Sequence, residues 1–354
     1  MVIKTMEKNQ KITNIALVGC GGMARSYRHK YTKIPGAALV LVIDVSEETA
    51  KSAGEALNVR WSTNFNDCLA PDIDIVDIST PNQFHREQAV AAMRAGKHVL
   101  VQKPLANNVE NAEAIVDAAK ETGVFAGMYM SMFDNPIVYE IKELIDAGAL
   151  GEVTGFNIRN AHTGGLHAAP GAWRSSLEQT GGGSFIQLAV HNMNLVQWLI
   201  GQKITSVSSF SKNIMSPNIG GDDLTAVACE TDKGILGTMS SAYNAERNEM
   251  SIYGTKGFIT LIDSNLLTLK LTIAHNSKIF EYNTPNETKV IELKGGDESS
   301  LYGNENSCSQ HIAFVKAVMA GKQPQSSVEV GLYDMRIIKA IYKSAIEKRA
   351  VDVL

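Results

Sequence analysis

The sequence predicts an α/β chain in two parts: a doubly wound parallel sheet first, then an α+β unit built on a mainly antiparallel open sheet. Three observations carry this. In the first third, short runs rich in Val and Ile alternate with stretches of helical periodicity. After Tyr129 that alternation stops, and from Ile204 to Leu293 strands follow one another closely. Finally, 354 residues exceed what one ordinary core organises, so two domains are expected.

Segments 12–19, 39–44, 73–79 and 99–102 are too short and too β-branched for helices and read as buried strands, with 124–129 closing the series. Between them, 23–33, 47–57, 86–95 and 109–122 carry helical patterns. Such β-α-β repeats require right-handed crossovers and place helices on both faces of a parallel sheet. Further on, 135–147 reads as an amphipathic helix and 153–160 as a strand. Gly181-Gly182-Gly183 opens a helix reaching about Leu199. Segments 224–230, 235–240, 250–253 and 258–262 read as strands, and 305–320 and 331–348 as closing helices. The expected division is a frayed tail over 1–10, a dinucleotide-binding domain over 11–131, and a domain for substrate binding and oligomerisation over 132–354.

Composition narrows the class. Lys and Arg number 33 against 37 Asp and Glu, a formal charge of −4, so no clustered basic footprint for nucleic acid is expected. No apolar run has the length of a membrane span. The first ten residues lack the apolar core of a secretory signal. Cys20, Cys68, Cys229 and Cys308 are scattered with no Cys-x-x-Cys pair. That spacing predicts reduced thiols in a cytoplasmic enzyme, without a structural metal.

The first strand ends in Gly19-Cys20-Gly21-Gly22-Met23-Ala24, a Gly-x-Gly-x-x-Ala turn entering a helix. The first glycine permits the turn, the second lets backbone approach a pyrophosphate, and the small Ala24 permits close helix–strand packing. Phosphates would then rest on N–H groups at the positive helix end. Asp44 closes the second strand 25 residues beyond Gly19, where an acid accepts hydrogen bonds from ribose hydroxyls and repels a 2′-phosphate. NAD is therefore favoured over NADP. Ser79-Thr80-Pro81-Asn82 and Gln102-Lys103-Pro104 follow two further strands, and ligands of open parallel sheets sit at carboxyl ends of strands. Cys20 reads as a small residue tolerated in the turn.

Together with His85, Ala95-Gly96-Lys97-His98-Val99, Lys103-Pro104 and the Gly181–Gly183 helix with His191, these motifs resemble the glucose–fructose oxidoreductase / inositol dehydrogenase family over essentially the whole chain. The resemblance implies an N-terminal Rossmann domain and a C-terminal α+β domain whose open sheet mediates homo-oligomers, dimers or tetramers. It also implies hydride transfer at a carbohydrate-like hydroxyl or carbonyl, with Lys103 near substrate and nicotinamide. His85 and Gln102 join the implied cofactor contacts. Where the family has Glu-Lys-Pro, this chain has Gln102-Lys103-Pro104. Where it has Asp, and often a second acid, this chain has Gln187 and Asn194.

On the residues themselves, Lys103 can hydrogen-bond a reacting oxygen and stabilise developing charge, or exchange a proton if burial lowers its pKa. His191 can take or return a hydroxyl proton, and on a regular helix Gln187 and Asn194 would share its face. The glycine-rich stretch from His162 to His167, followed by Trp173-Arg174, reads as a loop over the pocket, with Tyr129 and Asn244 as further lining. The expected reaction is reversible oxidation of a sugar, polyol or inositol CH–OH. Two alternatives stay open: glycoside cleavage through transient oxidation and elimination, and a non-catalytic NAD sensor.

Overall fold

The computed structural model describes residues 12–134, 136–265, 268–275, 287–294 and 310–354. The predicted tail, Cys308 and the start of the helix expected at 305 lie outside them. The first region runs β1 (Thr13–Val18), α1 (Gly22–Tyr27), β2 (Ala37–Ile43), α2 (Glu47–Leu57), β3 (Arg60–Ser62), β4 (Ile75–Ile78), α3 (His85–Arg94), β5 (His98–Gln102), α4 (Val109–Thr122) and β6 (Ala126–Tyr129). The strands form one parallel sheet in the order β3-β2-β1-β4-β5-β6. The order reverses between β1 and β4, and the crevice at their carboxyl ends is where such sheets hold ligands.

Local chemistry sets the helix ends. The Ser46 hydroxyl accepts the Thr49 N–H to start α2, whose first turn carries Glu47 and Glu48. Asn108 does the same for α4 through the Asn111 N–H, and Gly123 ends α4 at a φ of 69°. The helix expected over 23–33 holds its α form only to Tyr27, and Arg28–Lys33 tightens to a 3₁₀ helix. The three-residue edge strand β3 escapes any periodicity argument, being too short to display one.

The chain continues through α5 (Pro136–Asp146), β7 (Val153–Ala161), α6 (Leu177–Thr180), a π-helical turn (Phe185–Ala189), α7 (Val190–Ile200), β8 (Ile204–Lys212), β9 (Leu224–Thr231), β10 (Leu236–Ala242), β11 (Asn248–Gly254), β12 (Gly257–Asn265), β13 (Thr268–His275) and β14 (Glu287–Lys294). It closes with α8 (Gln310–Met319), α9 (Val328–Glu347) and β15 (Val351–Asp352). The described strands build a sheet ordered β14-β13-β12-β11-β7-β10-β9-β8-β15. Its pairs are antiparallel except β7 with β10, which the intervening helices and hairpin bring back in the same direction. Burial alternates along β9, as expected for a sheet with one covered face. Helix α9 covers that face: the Ser209 hydroxyl donates to the Ile341 carbonyl at 2.6 Å, and Ser344 Oγ accepts the Ser209 N–H at 3.0 Å.

Helix α8 crosses back to the first sheet. Phe314 sits where a Cβ on Gly127 would meet it at 3.0 Å, and the Met128 N–H donates to the Ser326 carbonyl. The buried His311 ring stacks on Tyr27 with centroids 3.7 Å apart. One core therefore begins between the first sheet and α3 and α4 and runs on through α7 and α9 to the covered face of the second sheet. A second, containing Tyr27, Tyr31, Phe314 and Val315, fills the opposite face of the first sheet.

Candidate active site

The glycine turn is shaped by contacts only glycine allows. Gly19 has a φ of 88°, and a Cβ there would lie 2.7 Å from the Ser79 carbonyl oxygen, so the ends of β1 and β4 touch backbone to backbone. A Cβ on Gly21 or Gly22 would meet nothing within 4 Å, so this side of the turn is open to a ligand. Met23 is partly exposed beside it, while Ala24 is fully buried and packs the helix onto the sheet. The Asp44 carboxylate accepts the Cys20 N–H at 2.8 Å and the Ser46 N–H at 3.0 Å, which holds it against the turn with lone pairs to spare. An open glycine cradle with an acid at the end of β2 fits a dinucleotide's pyrophosphate and ribose. The Cys20 thiol is buried and pushed up to about 12, so it is no nucleophile.

Next to the cradle, the Ser79–Asn82 turn is braced from behind. Thr80 Oγ1 donates to Gln88 Oε1 at 2.6 Å. His85 is completely buried, with Nε2 2.8 Å from the Thr80 carbonyl and Nδ1 3.0 Å from that of Pro104. Both nitrogens face carbonyl oxygens and a neutral ring donates to one of them, so His85, expected at the cofactor, is held between two strand-end loops. Asn82 is likewise committed, donating through Nδ2 to the Thr180 carbonyl at 2.9 Å and stapling the first sheet to the loop before α7. Pro81 sits between them, half-buried.

The end of β5 presents Gln102 and Lys103. Gln102 Oε1 accepts the Lys103 N–H, and the Lys103-Pro104 peptide bond is cis. Lys103 Nζ donates to the Gln187 carbonyl at 2.8 Å. Burial, reinforced by the nearby Arg174 charge, brings the Lys103 ammonium down to about 8, and no carboxylate offsets either effect. Burial and the Lys103 charge push His191 well below the usual histidine range, so its ring is neutral at pH 7. Its Nδ1, Gln187 Nε2 and Gln102 Nε2 are buried without a partner among the described residues. The structure thus brings Lys103, Gln187, His191 and Arg174 within interaction range.

The loop that carries Gln187 is over-determined. A Cβ on Gly183 would lie 1.9 Å from the Asp222 carbonyl oxygen, and one on Gly182 would meet Tyr342 Oη at 2.3 Å. The buried Asp222 carboxylate accepts from the N–H groups of Gly183 and Phe185 and from the hydroxyls of Ser184, Thr225 and Tyr342. These fix the start of the π turn, a feature that recurs at functional sites. Asp222 was not singled out in the sequence; the Gly220-Gly221-Asp222-Asp223 run, a tight turn ending in acids, was its only signal.

Two expected pocket residues lie elsewhere. Asn194 is buried and donates to Asp334 on α9 at 2.7 Å, lining a separate cavity of about 400 Å³ with Trp198 and Tyr333. The contact with α9 is the reason: Asn194 lies nearly a turn beyond His191 on α7, and its amide is spent on Asp334. Tyr129 faces the opposite core: its hydroxyl donates to Asp134 and its ring packs against His311. Asn244 lies beside Asp223.

In the loop after β7, His162 Nδ1 accepts the Gly164 N–H at 2.8 Å, so the neutral ring carries its proton on Nε2. Its ring lies 5.0 Å from that of Tyr243, a buried residue the sequence reading passed over. Tyr243 lies within electrostatic reach of Arg174, whose guanidinium carbon sits 4.6 Å from the Trp173 ring centroid. Arg174 stays exposed yet acts electrostatically on Lys103, His162 and Tyr243. His167 ends the short 3₁₀ helix, exposed, with no contact to Lys103 among the described residues. No group of three His, Cys, Asp or Glu among the described residues could hold a metal.

A doubly wound parallel sheet with an open glycine cradle at its switch point and an acid closing β2 defines a dinucleotide-binding class of protein. Comparison with known proteins then gives the family. Residues 13–130 match the GFO/IDH/MocA oxidoreductase family with its NAD-binding Rossmann fold, and residues 138–260 match the GFO/IDH/MocA C-terminal domain. The chain belongs to this family. It is 25% identical over 341 residues to 1,5-anhydro-D-fructose reductase of Ensifer adhaerens, covering 95% of this chain and 97% of that one. It is 29% identical over 254 residues to scyllo-inositol 2-dehydrogenase (NAD(+)) of Bacillus subtilis, covering 69% and 72%. A solved levoglucosan dehydrogenase in complex with NADH shares the fold, with a TM-score of 0.86, 22% identity, and 97% and 99% of the two chains covered.

Proposed function

We propose that this chain is an NAD-dependent dehydrogenase that moves a hydride between the nicotinamide and a hydroxyl-bearing or keto carbon of a sugar, polyol or inositol. The observation that carries the reading is Lys103: a half-buried ammonium just beyond β5, 2.8 Å from the Gln187 carbonyl and within electrostatic reach of His191. Relatives named for anhydro-sugar and inositol chemistry support the substrate range. Asp44 supports NAD over NADP, since a fixed carboxylate disfavours a 2′-phosphate.

A bound dinucleotide supplies the hydride-exchanging ring, and the protein's residues handle the proton and the geometry. Lys103, at about 8, has a free-amine fraction near neutral pH that takes the substrate hydroxyl proton during oxidation and returns it during reduction. His191, held neutral, hydrogen-bonds the sugar and fixes its orientation. Gln187 offers an amide donor where the resemblance expects an acid, so the proton path rests on Lys103 alone. The same proposal includes self-association through the outer face of the second sheet, where Phe210, Leu236 and Tyr253 are exposed.

The test is a panel of inositols, hexoses, anhydro-sugars and glycosides, followed at the reduced-nicotinamide absorbance band. Substrate-dependent accumulation of NADH is expected. Glycoside turnover with no net NADH would replace the proposal with redox-assisted elimination. NAD binding without hydride exchange for any compound would leave only a sensor.

A further inference from the structure

The site is rich in donors and cations and poor in compensating acids. Lys103 spends one N–H on the Gln187 carbonyl and keeps two. His162 directs its Nε2–H away from the Gly164 bond. Gln187 Nε2 is buried and unpartnered. Arg174 stacks on Trp173 and forms no ion pair among the described residues. The carboxylates in this part of the fold are spent elsewhere. Asp222 accepts five hydrogen bonds, from the 183–185 segment, Thr225 and Tyr342, Asp223 holds the Ile214 and Met215 N–H groups, and Glu246 binds Thr163 at the surface. Where the resemblance would put an acid beside His191, there is a neutral amide.

Two like charges close enough to act on one another, with no ion-pair partner among the described residues, form an incomplete set. A neutral polyol closing over them would leave both cations desolvated and unpaired, which is costly. A carboxylate on the substrate would complete the set. It accepts only, and the planar guanidinium fork matches its two oxygens.

We propose that the cleft takes an anionic sugar, one that bears a carboxylate as a hexuronate does, with Arg174 as the carboxylate anchor and Lys103 at the reacting oxygen. This rests on the dehydrogenase reading for the role of Lys103 and goes beyond it in naming the substrate class. Arg174 is a specificity residue here, because its exposed side chain contributes nothing to the core.

The experiment compares D-glucuronate, D-galacturonate and D-mannuronate with glucose, galactose and mannose, in matched pairs. Affinity for the NADH-loaded protein is read by fluorescence titration, and kcat/KM is measured with NAD where turnover occurs. At least one acid is expected to bind tenfold or more tightly than its neutral partner. That preference should fall towards unity in Arg174→Gln, survive in part in Arg174→Lys, and weaken with added KCl. Equal or tighter binding of the neutral sugar in all three pairs would overturn the proposal, as would a preference that Arg174→Gln leaves intact. Acid preference without any hydride exchange would sustain the anion site and sink the dehydrogenase reading instead.

Discussion

Replacing Lys103 with Met should destroy activity and leave the protein at least as stable at pH 7. The Lys103 ammonium sits at about 8 in the fold against 10.5 in the unfolded chain. A shift of that size corresponds to about 3 kcal/mol of penalty for carrying the charge when folded. Against this, methionine leaves the Gln187 carbonyl without its donor, a loss of about 1–3 kcal/mol. The net change at pH 7 is expected to lie between zero and about 2 kcal/mol in favour of Lys103→Met. The pH dependence separates the two contributions. Because the folded pKa is depressed, the wild type gains stability as pH rises from about 8 towards 10.5, and the variant has no such gain. By pH 9.5 the variant's advantage should shrink by about 2 kcal/mol. Urea denaturation at pH 7 and 9.5 measures both quantities, with NADH affinity and turnover as companions. Loss of stability beyond about 2 kcal/mol at pH 7, or a difference between the proteins that does not move with pH, would show that Lys103 is a structural ion and not a strained catalytic one.

Three further outcomes are expected. Asp334 is buried beside Asn194 and raised from 3.8 to about 8, so its contribution is fully present below pH 3.8 and lost as pH rises through 8. The wild type should therefore lose stability relative to Asp334→Asn by about 1 kcal/mol per pH unit across that window, as read by chemical denaturation. Gly183→Ala places a Cβ 1.9 Å from the Asp222 carbonyl oxygen, and should cost more than about 3 kcal/mol or prevent soluble expression; a normal melting temperature would contradict the packing described. Asp44→Ser should lower the ratio of kcat/KM for NAD over NADP at least tenfold, worth about 1.4 kcal/mol, and an unchanged ratio would remove Asp44 from the ribose site.

Much of the first sheet was legible because its signals are local. Val–Ile runs, the Asn108 and Ser46 caps, and the glycine turn each act within a few residues, so their chemistry survives without tertiary context. Lys103 was legible for the same reason: it ends a buried strand. Side-chain direction was harder. Met128 and Tyr129 are consecutive on β6 and fall into different cores, so pleat parity separates them, but nothing in the sequence says which face looks into the cleft. His85 entered through the resemblance alone, and its burial between the Thr80 and Pro104 carbonyls depends on residues distant in the chain.

By itself, the sequence determined the order of elements, the cradle that demands glycine at Gly19, and the acid that closes β2. Only the tertiary structure decided the charge state of the site. Burial lowers Lys103 and neutralises His191, Asp222 pins the π turn that carries Gln187 from a distant loop, and Asp334 on α9 takes the Asn194 amide. The physical reason is range: backbone preference and turn chemistry are set by neighbours in the chain, whereas desolvation and ionic balance are set by neighbours in space.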